Sequence, residues 1–76
     1  MHPILKLLAH NVRRQRLARG MALEELGRKA GLSPHTLMRI EAAQGNPGID
    51  TVFRIARALG VTAPELFKPP RRRRVH

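Results

Sequence analysis

Apolar residues in this 76-residue chain return every three or four positions, and glycine closes one run after another. Leu5, Leu8 and Val12 form a stripe ahead of Gly20. Leu23, Leu26 and Ala30 form another ahead of Gly31, and Ile49, Val52, Ile55, Ala56 and Leu59 a third ahead of Gly60. This is the period of amphipathic helices ended by glycine caps, and no segment alternates as a half-buried strand does. The spacing predicts helices over about 4–19, 23–30 and 49–59. Between the last two, Ser33 is a good N-cap and Pro34 suits the first helical position, so a further helix is predicted to run from there to Glu41. "AAQGNPG" (42–48) is a loop by its Gly, Asn and Pro content. Thr62 and Glu65 have capping-box spacing for a short fifth helix, "APELF". The expected architecture is one all-α domain over 1–67, a five-helix bundle, followed by a disordered basic tail over 68–76.

A core of this size supplies about 3–5 kcal/mol, and with no cysteine there are no disulfides or thiolate metal sites to add to it. No apolar run approaches the roughly 20 residues that span a bilayer. The opening "MHPILKLLAHN" is too short in its apolar stretch for a signal peptide and lacks a small-residue cleavage site, so a cytoplasmic protein is expected. Charge says more. Fifteen Lys and Arg stand against five acids, a net +10, and residues 1–67 alone retain +5. That balance favours a polyanionic partner, nucleic acid before an anionic membrane. With two Phe and no Tyr or Trp, a stacking platform for single strands lacks its main tool, which leaves duplexes.

The segment "SPHTLMRIE" (33–41) carries the chemistry. At 100° per residue Leu37 and Ile40 fall together, with Ser33 and Thr36 beside them. The opposite side collects His35, Arg39 and Ala42, with Met38 adjacent and Pro34 at the leading flank. This outward face holds no acid. A forked donor, an imidazole, a thioether and a methyl group suit the major groove, where Arg binds guanine O6 and N7 and apolar groups meet the thymine methyl. The preceding helix and the tight Gly31-Leu32 turn complete a helix-turn-helix. Gly27 stands where the two helices would cross closely, and Leu26, Ala30, Leu32, Leu37 and Ile40 take the inward positions.

From about Leu8 to Phe67 the sequence resembles the phage-repressor and Cro-like (XRE-type) helix-turn-helix family. The resemblance rests on Arg16 ahead of Gly20, "EEL" (24–26), "RIE" (39–41), "NP" (46–47) and "RALGVTAPELF" (57–67). It implies a DNA-binding domain that usually acts as a dimer, with the third helix as recognition helix. The family's base-reading positions fall on Pro34, His35, Met38 and Arg39, and Ser33, Thr36 and the Asn46 region lie near the phosphates. Three departures stand out. Ala22 and Leu23 replace the family's usual cap and phosphate-binding Gln, Gln15 replaces an apolar residue, and Pro34 replaces a residue that often hydrogen-bonds bases.

Arg16 continues the buried stripe of the first helix, where an unpaired charge is costly, and Glu41 sits at a helix C-terminus, where the dipole disfavours an acid. Pairing the two resolves both problems, and the resemblance implies the same salt bridge. Arg71, Arg72, Arg73 and Arg74 are expected to add phosphate contacts. Phe53, off the best stripe of its helix, is a candidate dimer contact together with Leu66 and Phe67. His2, His10, His35 and His76 form no His-x-x-x-His pair, so no metal site is expected. Ser33 beside His35 has no orienting acid, and phosphate-loop and dinucleotide glycine patterns are missing, so neither catalysis nor a cofactor is expected.

The expected function is a sequence-specific, double-stranded DNA-binding transcriptional regulator, a repressor acting as a homodimer on a palindromic operator. The alternatives are an antitoxin that binds a toxin protein and represses its own operon, a restriction–modification controller, and a cationic membrane-active peptide built on the basic first helix.

Overall fold

In the computed structural model, which describes residues 3–69, the chain forms four α-helices and a closing 3-10 helix. These are α1 (Pro3–Ala18), α2 (Leu23–Ala30), α3 (Pro34–Glu41), α4 (Ile49–Leu59) and the 3-10 helix Ala63–Phe67. The predicted fifth α-helix is thus corrected: five residues with a proline among them are too few to sustain α-type bonding, and a tighter 3-10 turn takes its place. The capping pair does form at its start. Glu65 accepts from the Thr62 backbone N–H at 2.7 Å and from the Thr62 hydroxyl at 3.0 Å.

Local chemistry sets the other ends. The Ser33 hydroxyl accepts from the Thr36 N–H at 3.1 Å, and Pro34 occupies the first turn of α3. The N-cap position of α2, Ala22, supplies no side-chain cap, and Leu23 packs against the core instead. The turn into α3 depends on two glycines. Gly31 takes φ 72°, a left-handed conformation open to glycine at little cost, while Leu32 N–H bonds back to Gly27 O at 2.8 Å. A Cβ on Gly27 would stand 2.6 Å from Leu32 O, so any side chain there must displace the turn between the two helices.

Leu8 and Val12 of α1, Leu26 of α2, Leu37 of α3, Ile55 and Leu59 of α4, and Leu66 meet in one core, each 2% exposed or less. α1 packs on α3 and the 3-10 helix, while α2 packs on α3 and α4. Leu66 corrects the expected dimer contact, because it is fully buried within one chain. The reason is tertiary. Asn11, itself buried in α1, donates to Leu66 O at 2.9 Å and Lys68 O at 2.8 Å, drawing the 3-10 helix down onto α1. Lys68, assigned to the tail by its sequence, therefore has its carbonyl held. Phe67 is half-buried against the core, and Phe53 is 56% exposed. Among the described residues no helix is long and apolar enough to cross a membrane.

Candidate nucleic-acid interface

Burial of Leu37 and Ile40 fixes the rotation of α3 about its axis, and that rotation decides what faces outward. Pro34, His35, Met38 and Arg39 are all exposed, Met38 at 52%. Ser33 is exposed and Thr36 half-buried, their hydroxyls 2.9 Å apart in a hydrogen bond.

The loop after α3 folds back along the helix and makes its outer face concave. Gln44 N–H donates to Arg39 O at 2.8 Å. His35, Thr36 and Arg39 then form one wall of a cleft of about 320 Å³ whose other wall includes Asn46, Pro47 and Thr51. A second hollow is lined by His35, Met38, Arg39, Ala42 and Gln44. The structure thus brings His35, Thr36, Arg39 and Asn46 together, with Met38 alongside, while Pro34 lines neither surface. Gln44 and Thr51 join the site without having been anticipated. Their only sequence signal was polarity within the loop and in the first turn of α4.

No acidic residue lines either surface. The one acid of α3 is turned inward. Arg16 Nε lies 2.7 Å from Glu41 Oε2 and Nη2 lies 3.0 Å from Oε1, a bidentate pair, and Nη1 donates to Met21 O at 2.7 Å. The side chains are 11% and 9% exposed. The hydrogen bond to Glu41 raises the Arg16 pKa further, against the opposing pull of burial. This bridge ties the C-terminal end of α3 to α1 and withdraws a negative charge from the outward face. Gln15 of α1, where the family resemblance implies an apolar residue, is half-buried and accepts from Arg19.

Arg71, Arg72, Arg73 and Arg74, assigned above to phosphate contacts, lie outside the described residues, as do His2 and His76. Among the described residues no group of His, Asp or Glu is arranged to hold a metal ion.

Comparison with known proteins agrees with this geometry. The helix-turn-helix family model HTH_3 matches residues 12–66. An uncharacterized HTH-type transcriptional regulator, y4dJ of Sinorhizobium fredii, is 36% identical over 64 residues, 84% of this chain and 83% of the relative. The crystal structure of the hypothetical transcription factor NHTF from Neisseria superposes with a TM-score of 0.85 at 34% identity, covering 88% of this chain and 77% of that one. The restriction-modification controller protein C.AhdI from Aeromonas hydrophila superposes with a TM-score of 0.82 at 27% identity, covering 87% of this chain and 100% of that one.

Proposed function

Because the chain belongs to the XRE-type helix-turn-helix family of DNA-binding transcriptional regulators, we propose that it is a homodimeric repressor that reads its operator through α3. One observation carries the reading. The outward face of α3 is free of acid, concave and bordered by Arg39, and its rotation is fixed by core packing. In the major groove Arg39 binds the O6 and N7 of a guanine in bidentate fashion, and His35 bonds a neighbouring base edge. Met38 and Pro34 meet thymine methyl groups. Ser33, Thr36, Asn46 and the arginines 71–74 contact phosphates, which fix register without reading sequence.

The dimer forms through an apolar surface spanning α1, α4 and the 3-10 helix. Ile4, Ile49, Phe53, Pro64 and Phe67 line one groove there, with Ile49 75% exposed and Phe53 56% exposed. Apolar side chains that open into a single groove, rather than scattering singly, are the mark of an interaction surface. Two recognition helices related by a two-fold axis enter successive major grooves, so half-sites lie about 10–10.5 base pairs apart. A dimer spread over two grooves occludes the duplex, and occlusion suffices for repression.

Selection of binding sites from random duplexes tests this reading. It should yield a palindrome with that half-site spacing. A single asymmetric site bound by one chain contradicts the dimer, and a pool with no shared sequence contradicts base reading.

A second reading, control of a restriction–modification system, is favoured by the match to C.AhdI over that protein's whole length. Under it, the selected site recurs upstream of adjacent restriction and modification genes.

A further inference from the structure

Arg39 is held differently from Arg16 and Arg19. Arg16 donates to both Glu41 oxygens and to the Met21 carbonyl, and Arg19 donates to Gln15. The Arg39 guanidinium makes no hydrogen bond or ion pair among the described residues, yet it has a seat. It lies beside Gly45, and both residues line the cleft. A Cβ on Gly45 would stand 3.3 Å from Arg39 Nη2, 3.8 Å from Cζ and 3.9 Å from Nε.

We propose that Gly45 is a positioning residue for Arg39: its bare backbone seats the guanidinium on the wall of the α3 cleft in the conformer that meets the base edge. The proposal rests on the reading above, in which Arg39 contacts guanine. Contact through the Gly45 backbone leaves all five guanidinium donors unspent, whereas a salt bridge would consume the bidentate face that a guanine needs. Ordering a long side chain on binding weakens affinity by a factor of about 2–12, and a seat formed in the free protein removes part of that loss. The gain applies only where the arginine finds its guanine. Gly45 therefore acts on discrimination rather than on general affinity for DNA.

The fold contains its own control. Gly45 has φ 77° and Gly60 has φ 74°, so alanine is backbone-strained to a similar degree at either position. A Cβ on Gly60 meets nothing within 4 Å, while one on Gly45 meets Arg39. Gly60→Ala thus reports strain alone, and Gly45→Ala reports strain plus crowding of the guanidinium, which must shift by a few tenths of an ångström.

The test compares wild type, Gly45→Ala, Gly60→Ala, Arg39→Ala and the Gly45→Ala/Arg39→Ala double variant. Each binds the best duplex recovered from a random-sequence library and all its single-base-pair variants. Arg39→Ala should erase the preference at one guanine position. Gly45→Ala should reduce that same preference about two- to tenfold, Gly60→Ala should leave it intact, and the double variant should match Arg39→Ala. In the free protein, side-chain ¹⁵Nε relaxation should show Arg39 more ordered than the exposed Arg13, and mobile in Gly45→Ala. If Arg39→Ala erases a preference and Gly45→Ala behaves as Gly60→Ala, the seat is refuted and the base-reading role stands. If Arg39→Ala erases no preference, the base-reading role fails and the proposal fails with it. Equal mobility of the Arg39 side chain in wild type and Gly45→Ala overturns the seat whatever the DNA data give.

Discussion

Glu41 shows how one residue can be essential to a binding face without belonging to it. Its carboxylate takes two hydrogen bonds from Arg16 and is 9% exposed, so removing it leaves a part-buried guanidinium without its anion and with only the Met21 carbonyl as partner. That loss costs about 3–5 kcal/mol, comparable with the whole stability of a domain this size. Glu41→Ala should therefore be largely unfolded in thermal melts, and a midpoint within a degree or two of wild type would refute the bridge's importance. Ala43 makes the opposite prediction. It is the one non-glycine residue with positive φ among the described residues, at 59°, a conformation that costs an L-residue about 1–2 kcal/mol. Glycine there removes the strain but adds about 0.4–1 kcal/mol of unfolded-state entropy. The strain term wins, so Ala43→Gly should raise stability by about 0.5–1 kcal/mol in denaturant titrations. A fall in stability would show that Ala43 is unstrained. The Arg16–Glu41 pair was legible in the sequence because two charges stood at costly places. Asn11 gave a comparable signal, a polar residue between Leu8 and Val12 on the buried stripe, but its partners are carbonyls 55 and 57 residues away and carry no side-chain signature.

Helix boundaries were readable wherever a cap decides them locally. Predicted and observed limits coincide for α2 and α4, and for α1 they differ by a single residue. Failure came where burial depends on distant partners. Leu66 looks like a spare apolar group until the 3-10 helix is docked on α1, and the seat of Arg39 on Gly45 depends on how the loop returns along α3. The 3-10 helix also gives its own pH signature. The backbone N–H and then the hydroxyl of Thr62 hold the Glu65 pKa below its ordinary 4.5, with Lys68 and Arg19 adding smaller pulls in the same direction. The folded state therefore binds the Glu65 proton less readily than the unfolded state does. The resulting stabilisation is complete above the unfolded value and is lost as pH falls through the lower folded one. Wild type should lose a stability increment on acidification below about pH 4.5 that Glu65→Ala does not lose. Parallel acid profiles for the two proteins would contradict the cap's role.

Across the whole molecule, charge and shape divide the labour of binding. Five of the fifteen cationic side chains fall in residues 68–76, and they can supply affinity for any polyanion. In the proposed reading, sequence discrimination comes from α3, whose outward face is set by the core beneath it. Deleting residues 71–76 should weaken binding to selected and scrambled duplexes alike, and should flatten the log–log salt dependence by about 0.9 for each phosphate the tail no longer neutralises. The central claim, that α3 reads bases through Arg39, is tested most directly by a salt titration of Arg39→Ala on the same two duplexes. The substitution should cost about 1–3 kcal/mol on the selected duplex and little on the scrambled one, with an almost unchanged salt slope. Equal weakening on both, with the slope reduced by about one, would make Arg39 a phosphate clamp and contradict base reading by this face.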